Sequence, residues 1–222
     1  MTTNQQSKTL TDARELALVA GGIANAAVAG AAELTNGGRA IDDHQVLAER
    51  LALMATEARA AMALVEYAER LAGEGRADAL TEDEALAYAA DVALRLSNVL
   101  AAHPGDFRDA PELTDHTLAL VRAGLDDARI RAIGRQTIEG FGVNSSELFD
   151  DGAAQTRQFA RQFAKQELLR EEDGEAIADR VHREDLLVPE RWIKQFSELG
   201  FFGSSVPGTF GGTELGYLTR IV

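Results

Sequence analysis

Side chains that could do chemistry are few and scattered in this chain of 222 residues. Its four histidines lack a second histidine or a carboxylate at the helical spacing that zinc enzymes use; they are His44, His103, His116 and His182. Cysteine is absent, which excludes disulfides, thiol nucleophiles and thiolate-bound metals and fits a reducing compartment. We therefore predict no metal site and no catalytic residue.

The sequence Gly203-Ser204-Ser205-Val206-Pro207 resembles the strand-to-helix turn that exposes a nucleophilic serine. That turn needs a glycine two residues after the serine and a helix directly behind it. Pro207 takes the place of that glycine, and no helix is expected after Ser205. A hydrolase is excluded, and glycine-rich phosphate loops of the GxGxxG or Walker type are also absent.

A helix followed by a turn rich in glycine and proline marks residues 188–222. Pro189 suits the first turn of a helix, because proline loses no hydrogen bond there. Trp192, Phe196 and Leu199 fall on one face of that helix. The turn that follows is stiffened at Pro207 and given backbone freedom at several glycines, which are Gly200, Gly203, Gly211 and Gly212. These are scaffold roles.

From about Phe159 onward, the chain resembles the N-terminal helical domain of the acyl-CoA dehydrogenase family. The resemblance rests on Phe159 and Phe163, a charged helix over 175–184, Pro189-Glu190-Arg191-Trp192, Leu199-Gly200-Phe201-Phe202-Gly203, and Val206-Pro207 with Phe210-Gly211-Gly212 and Leu215-Gly216-Tyr217-Leu218. The last group is similar to the family's VPEEYGG turn. Two departures affect the shape of that turn: Gly208-Thr209 replaces the usual acid pair, and Glu214 stands where glycine is common.

The resemblance implies an FAD enzyme that acts on an acyl-CoA thioester, with a glutamate removing the α-proton and FAD accepting the β-hydride. It also implies a homo-oligomer, with electron-transferring flavoprotein as the acceptor. The family's base and most of its flavin contacts lie in later domains, so no catalytic or cofactor-binding residue carries over to this chain. The signature turn of Pro207, Phe210, Gly211 and Gly212 is structural, and Phe210 with its loop is the one part expected near the substrate side.

Two other functions stay open at this point. Flavin monooxygenases and nitroalkane oxidases share the family's architecture, and fold alone does not fix the reaction. The other hypothesis is that the protein is a non-enzymatic helical interaction module. Because residues 215–222 read as the start of an apolar helix, we expect the isolated chain to expose apolar surface and to self-associate.

The elements that position these residues are predicted to be all-α, in two units. A hydrophobic content of 45% suffices for a core at this length. Three of the thirteen aromatic residues precede position 141 and ten follow, so the core chemistry changes there. We place a helical N-terminal extension at 1–147 and an incomplete acyl-CoA dehydrogenase-like domain at 148–222.

Four Ala- and Leu-rich helices are predicted in the first unit. The first covers 11–33 with Thr11 as N-cap, and the second covers 43–72. The third opens at Thr81, which has capping-box spacing to Glu84, and the fourth starts at Thr114 or Asp115 and extends to about Ile133. The joint between the units is expected at 134–144. In the second unit, helices are predicted over 148–171 and 175–183 and after Pro189.

The net charge of −14 disfavours nucleic acid and anionic membrane surfaces as partners. The most apolar run, over 16–32, consists mostly of Ala and Gly and is too weak for a membrane span. The N-terminus is polar and lacks the features of a secretory signal. We expect a cytoplasmic protein.

Overall fold

The computed structural model describes residues 7–104, 111–140 and 151–215. The chain divides into two compact units, Met1–Glu147 and Leu148–Val222, and each is described by itself. About three quarters of the described residues are helical and almost none lie in strands, so the all-α prediction is confirmed.

The first unit contains five α-helices among its described residues. They are α1 Lys8–Leu34, α2 Gln45–Gly73, α3 Ala79–Ala102, α4 Asp115–Gly124 and α5 Asp127–Glu139, with a 3₁₀ turn at Ile41–His44 before α2. The second unit has α6 Asp151–Phe163, a π-helical extension Ala164–Leu168, β1 Glu171–Glu172, β2 Glu175–Ala176, α7 Ile177–Arg183 and α8 Glu190–Glu198, followed by 3₁₀ turns at Phe201–Gly203 and Gly208–Phe210.

The core of the first unit is built mainly from alanine, packed between α1, α2 and α3. Alanine favours helix and is short enough for helix axes to approach closely. A few larger side chains fill the remaining space without exposure, among them Leu10, Leu16, Ile23 and Val65. The helix predicted over 43–72 corresponds to α2, whose larger buried side chains are Leu47, Met54, Val65 and Leu71.

Two predicted helix caps are wrong. The N-cap of α1 is Ser7, whose Oγ accepts the N–H of Leu10, so the helix starts before Thr11. The N-cap of α3 is Asp78, whose carboxylate accepts both the N–H and the hydroxyl of Thr81. A carboxylate three residues upstream competes successfully with the predicted capping box, because it satisfies a free N–H and suits the helix dipole.

The predicted fourth helix is in fact two helices. Chain direction changes at Leu125 and Asp126, where Asp126 caps α5 by accepting the N–H groups of Ala128 and Arg129. The predicted joint at 134–144 is wrong in its first half, since α5 continues through Gly134 to Glu139. Residues 141–150, including the rest of that joint, lie outside the described residues.

A two-residue antiparallel ladder in the second unit was not predicted. Glu171 pairs with Ala176 and Glu172 with Glu175, around a turn at Asp173 and Gly174. Both turn residues have positive φ, 57° and 83°, as tight hairpins require. Asp-Gly is the usual sequence of such turns and could have signalled it. The helix predicted over 148–171 therefore ends before the ladder, and the helix predicted over 175–183 starts at Ile177, after it.

Two helices, α1 and α3, are long and apolar enough to cross a membrane by length and composition. The apolar run over 16–32, which we predicted to be too weak for a membrane span, lies within α1. Both helices contribute buried residues to the core of the first unit, and the core helix of a soluble protein passes the same test.

Candidate functional site

An aromatic cluster forms the core of the second unit. Phe163, Ile177 and Trp192 are buried, and Phe159 and Phe196 pack partly buried against them. The rings of Phe163 and Phe196 are 4.7 Å apart between centroids and tilted by 54°. Tilted pairs at this distance are favourable for aromatic quadrupoles. The cluster therefore fixes α6, α7 and α8 against one another.

Phe201 extends this cluster into the turn that follows α8. Its ring lies 5.8 Å from Phe159, nearly parallel, and 5.5 Å from Phe196, edge to face. Gly200 precedes it in the left-handed conformation, with φ 76°, and ends α8. The segment Leu199-Gly200-Phe201-Phe202-Gly203, on which part of the family resemblance rests, thus ends α8 and places the Phe201 ring in the aromatic cluster.

The turn over 203–215 closes on itself through backbone hydrogen bonds. The N–H of Thr213 donates to the Gly203 carbonyl at 3.0 Å, and the N–H of Leu215 donates to the Ser204 carbonyl at 2.8 Å. The N–H of Glu214 donates to the Val206 carbonyl at 3.2 Å. The chain over 213–215 is therefore hydrogen-bonded back to the chain over 203–206, and the residues between them are mostly exposed.

Gly212 is the most restricted position of this turn. A Cβ atom there would overlap the carbonyl group of Val206. Its neighbour Gly211 has φ 83° and so uses the conformational freedom that only glycine has at no cost. Each of the paired glycines therefore has its own physical reason, a close backbone approach for Gly212 and a positive φ for Gly211.

Glu214 takes a glycine-like conformation although it has a side chain. Its φ is 46°, in the left-handed region that favours glycine. Its carboxylate accepts the N–H of Gly208 at 3.3 Å across the turn. The two departures from the family pattern, at Gly208-Thr209 and at Glu214, are thus joined by the hydrogen bond between Gly208 and Glu214.

The four signature residues are placed together at the projecting end of the turn. Pro207 precedes the 3₁₀ turn that contains Phe210, and Gly211 ends it. The Phe210 side chain is 81% exposed, more than any other aromatic ring in the described part of the chain. The structure thus exposes Phe210 on a hydrogen-bonded turn. Whether it approaches a substrate stays a prediction.

An open cleft of about 300 Å³ lies between α6 and this turn. Its lining is mostly apolar and consists of Gln155, Thr156, Phe159, Leu199, Gly200, Phe201, Thr213 and Leu215. None of these side chains titrates near neutral pH. The cleft can accept an apolar group but offers no acid, base or nucleophile of its own.

Charged groups of the second unit form a surface ion network beside the hairpin. The guanidinium groups of Arg170 and Arg180 hydrogen-bond Glu172 at 2.7 and 3.2 Å and hold the pKa of that carboxyl below its usual range. Arg183 pairs with Glu175 in the same way. This network stabilises the hairpin against α7, and it lies on exposed surface, so it does not define a reaction site.

The structure does not bring the histidines together. His116 lies 3.0 Å from the Glu15 carboxylate, linking α4 to α1, and no grouping of three metal-ligating side chains occurs among the described residues. The prediction that this chain supplies no catalytic or metal-ligating residue is tested no further by the structure.

Most backbone N–H groups of the turn donate to carbonyl or carboxylate oxygens between Gly200 and Glu214; they belong to Gly203, Ser204, Val206, Gly208 and all positions from Phe210 to Leu215.

Residues 150–222 match the family model for the N-terminal domain of acyl-CoA dehydrogenases. The matched segment covers about a third of the chain and coincides with the second unit, so it supports that family for this unit. No curated protein and no solved structure matches the chain. The match begins nine residues before Phe159, where the resemblance in sequence was first evident.

Proposed function

We propose that this chain is the N-terminal portion of an FAD-dependent acyl-CoA dehydrogenase and serves as scaffold in it. The observation that carries the proposal is the family match over 150–222, together with the turn whose Gly212 backbone packs against Val206. In this role the chain supplies helical packing and the projecting loop at Phe210. The bound flavin would supply the hydride-accepting chemistry, and the catalytic base would come from other residues of the protein.

The substrate we propose is (2S)-methylsuccinyl-CoA, oxidised to mesaconyl-CoA. This proposal is supported by the helical unit of about 150 residues that precedes the family segment, because such an extension resembles that enzyme's. Electron-transferring flavoprotein is the proposed acceptor, and a homo-oligomer is the proposed assembly. We also propose a cytoplasmic protein, and its net charge of −14 disfavours nucleic acid and anionic membrane surfaces as partners.

The test uses the protein encoded by the whole reading frame that contains this chain. Its visible absorption is recorded before and after addition of a panel of acyl-CoA thioesters that includes methylsuccinyl-CoA. We expect a flavin band that bleaches on anaerobic addition of the substrate, because the reducing equivalents stay on the cofactor. Bleaching by another thioester alone would keep the family and reject the proposed substrate.

The same spectra separate the alternatives. A flavoprotein that bleaches with no thioester but oxidises a nitroalkane, or consumes oxygen while hydroxylating its substrate, would belong to the other reactions of this architecture. A protein that remains colourless and unresponsive after reconstitution with FAD would reject flavin enzymes and favour a helical interaction module.

The role of Phe210 can be tested in that protein by comparison with Phe202. Both rings are exposed, by 81% and 64%, but Phe202 lies 6.5 Å from the Phe196 ring at the base of the turn. If Phe210 reaches the substrate side, Phe210→Ala raises KM with little change in folding, and Phe202→Ala does not. Equal KM values for both variants and the parent would remove Phe210 from the substrate side.

A further inference from the structure

The turn that ends α1 contains the one Asn-Gly pair of the sequence, Asn36-Gly37. Thr35 is the C-cap of the helix, and Asn36, Gly37 and Gly38 follow it with φ of 52°, 65° and 88°. Asn36 and both glycines are exposed, and a Cβ atom at either glycine would meet nothing within 4 Å. Solvent therefore reaches both residues of the pair.

An asparagine side chain is open to attack by the backbone nitrogen of the residue that follows it. The Gly37 nitrogen, once it has lost its proton, bonds to the side-chain carbonyl carbon of Asn36, and that carbon loses its amide nitrogen as ammonia. Water then opens the resulting succinimide ring at either carbonyl and leaves aspartate or isoaspartate. One water is consumed, one ammonia is released, and nothing is oxidised or reduced. Glycine favours the reaction because it has no side chain to hinder the attacking nitrogen.

Hydrogen bonds of the turn restrain this reaction. The N–H of Gly37 donates to the Ala32 carbonyl at 2.7 Å, as in a Schellman cap, so the attacking nitrogen is engaged. The hydroxyl of the buried Thr35 accepts the N–H of Gly38 at 3.1 Å and donates to the Ala31 carbonyl at 2.7 Å. The reaction therefore requires the turn to open, and the Thr35 hydroxyl opposes that opening.

Opening of the turn does not require the first unit to unfold. Helix ends open at a much lower free energy than buried helix interiors, and the residues that follow Thr35 in this turn are exposed. Asn25 and Asn98, by contrast, lie within α1 and α3 and are followed by residues that have side chains. We propose that Asn36 is a site of non-enzymatic deamidation in the folded protein, and that the Thr35 hydroxyl sets its rate.

Deamidation changes both the charge and the backbone at the end of α1. Aspartate at position 36 adds a negative charge at a helix C-terminus, where the helix dipole is already negative and Glu33 is three residues away. Isoaspartate inserts an additional carbon into the backbone, so Gly37 no longer has the spacing that brings its N–H to the Ala32 carbonyl. Both products weaken the cap, and the first unit becomes less stable as they accumulate.

Mass spectrometry of the folded 222-residue chain, incubated at mildly alkaline pH, measures this reaction directly. Trypsin releases residues 15–39 as one peptide, which contains both Asn36 and Asn25. We expect the mass gain of an amide converted to a carboxyl group, located at Asn36 by fragmentation, while Asn25 and Asn98 stay unchanged. A sample unfolded in urea gives the rate without the turn. The folded chain should react more slowly by up to about a hundredfold, because a helix end opens at low free energy.

Two valine variants test the role of Thr35. Thr35→Val removes the hydroxyl and keeps the branched shape of the side chain, so Asn36 should react about two- to tenfold faster. Thr56→Val is the matched control, because it removes an equivalent hydroxyl bond to the Ala52 carbonyl within α2 and should leave the rate unchanged. Conversion of Asn36 no faster than that of Asn25 in the folded chain, or equal rates for both variants and the parent, would overturn the proposal. None of these outcomes bears on the flavin reaction, so the two proposals stand or fall separately.

Discussion

Single residues of the turn differ sharply in what they tolerate. Gly212 packs its backbone against the Val206 carbonyl, whereas a Cβ atom at Gly208 would touch only the far end of the Glu214 side chain, at 3.9 Å. Sequence alone shows both as glycines in one loop. The difference arises because the chain crosses itself at Gly212 and not at Gly208.

Gly212→Ala is therefore expected to destabilise the second unit by about 1–3 kcal/mol, because the new methyl group must displace the backbone of Val206. Trp192 is the single tryptophan of the chain and is 5% exposed in the core of this unit, so its fluorescence during urea unfolding measures the loss. Gly208→Ala is the control and should change the urea midpoint little. Equal midpoints for the two variants would contradict the close approach at Gly212.

At the level of elements, helix contacts in the first unit depend on small residues at particular points. A Cβ atom at Gly124, the last residue of α4, would lie 2.6 Å from the Cβ of Ala90 on α3. Gly134 of α5 has open space instead. The two helical glycines thus have opposite roles, one required by packing and one merely exposed.

Gly124→Ala should destabilise the first unit by about 1–3 kcal/mol, although alanine favours helix, since α3 and α4 must move apart. Gly134→Ala should stabilise it by up to about 1 kcal/mol, because nothing opposes the gain in helix propensity. Far-ultraviolet circular dichroism during thermal unfolding measures both. Shifts of the same sign would show that helix packing does not distinguish these positions.

The start of α3 also sets a pH dependence. Burial, and next the nearby charge of Asp78, raise the pKa of Glu84 above its ordinary value of 4.5. The folded state therefore holds the Glu84 proton more tightly than the unfolded chain, so this residue costs no stability below about pH 4.5. Its cost develops as pH rises through the raised pKa and persists above it.

Glu84→Gln removes that cost and should raise the urea midpoint at neutral pH, with little change at a pH below 4.5. Unfolding followed by circular dichroism at the two pH values measures the difference. Glu82→Gln is the control, because Glu82 accepts a hydrogen bond from Ser7 and its loss should not stabilise the protein at either pH. A gain for Glu84→Gln that is equal at both pH values would contradict the raised pKa.

Across the whole molecule, the two units have cores of very different size. The first buries many residues of four helices, from Leu10 on α1 to Val121 on α4. The second has four buried residues among its described positions: Ala153, Phe163, Ile177 and Trp192. Buried apolar area is the main favourable term in folding, so the second unit is expected to be much the less stable.

Urea unfolding should accordingly show two separate transitions. The fluorescence of Trp192 changes first, and most of the helical circular dichroism is lost at higher urea, because most helical residues belong to the first unit. Gly212→Ala should move only the first transition and Gly124→Ala only the second. Coincident transitions in the parent chain would show instead that the two units unfold as one.

Much of the architecture was readable from the sequence. Apolar spacing identified α1, α2 and α3, and Pro189 with the aromatic spacing after it located α8. The family resemblance from Phe159 onward is supported by the match over 150–222. These features are local or repeat along the chain, so they can be recognised without knowing which segments contact each other in the fold. The caps at Ser7 and Asp78 were missed because several residues compete for one cap.

The sequence by itself determined an all-helical chain, its strongly acidic charge, the family likeness of its second part and the scarcity of reactive side chains. Only the tertiary structure decided which glycines are closely packed and that Glu214 takes a glycine-like conformation while its carboxylate accepts a hydrogen bond from Gly208. The physical reason is that composition and spacing act along the chain, whereas close backbone approaches and exposed faces depend on segments that are distant in sequence.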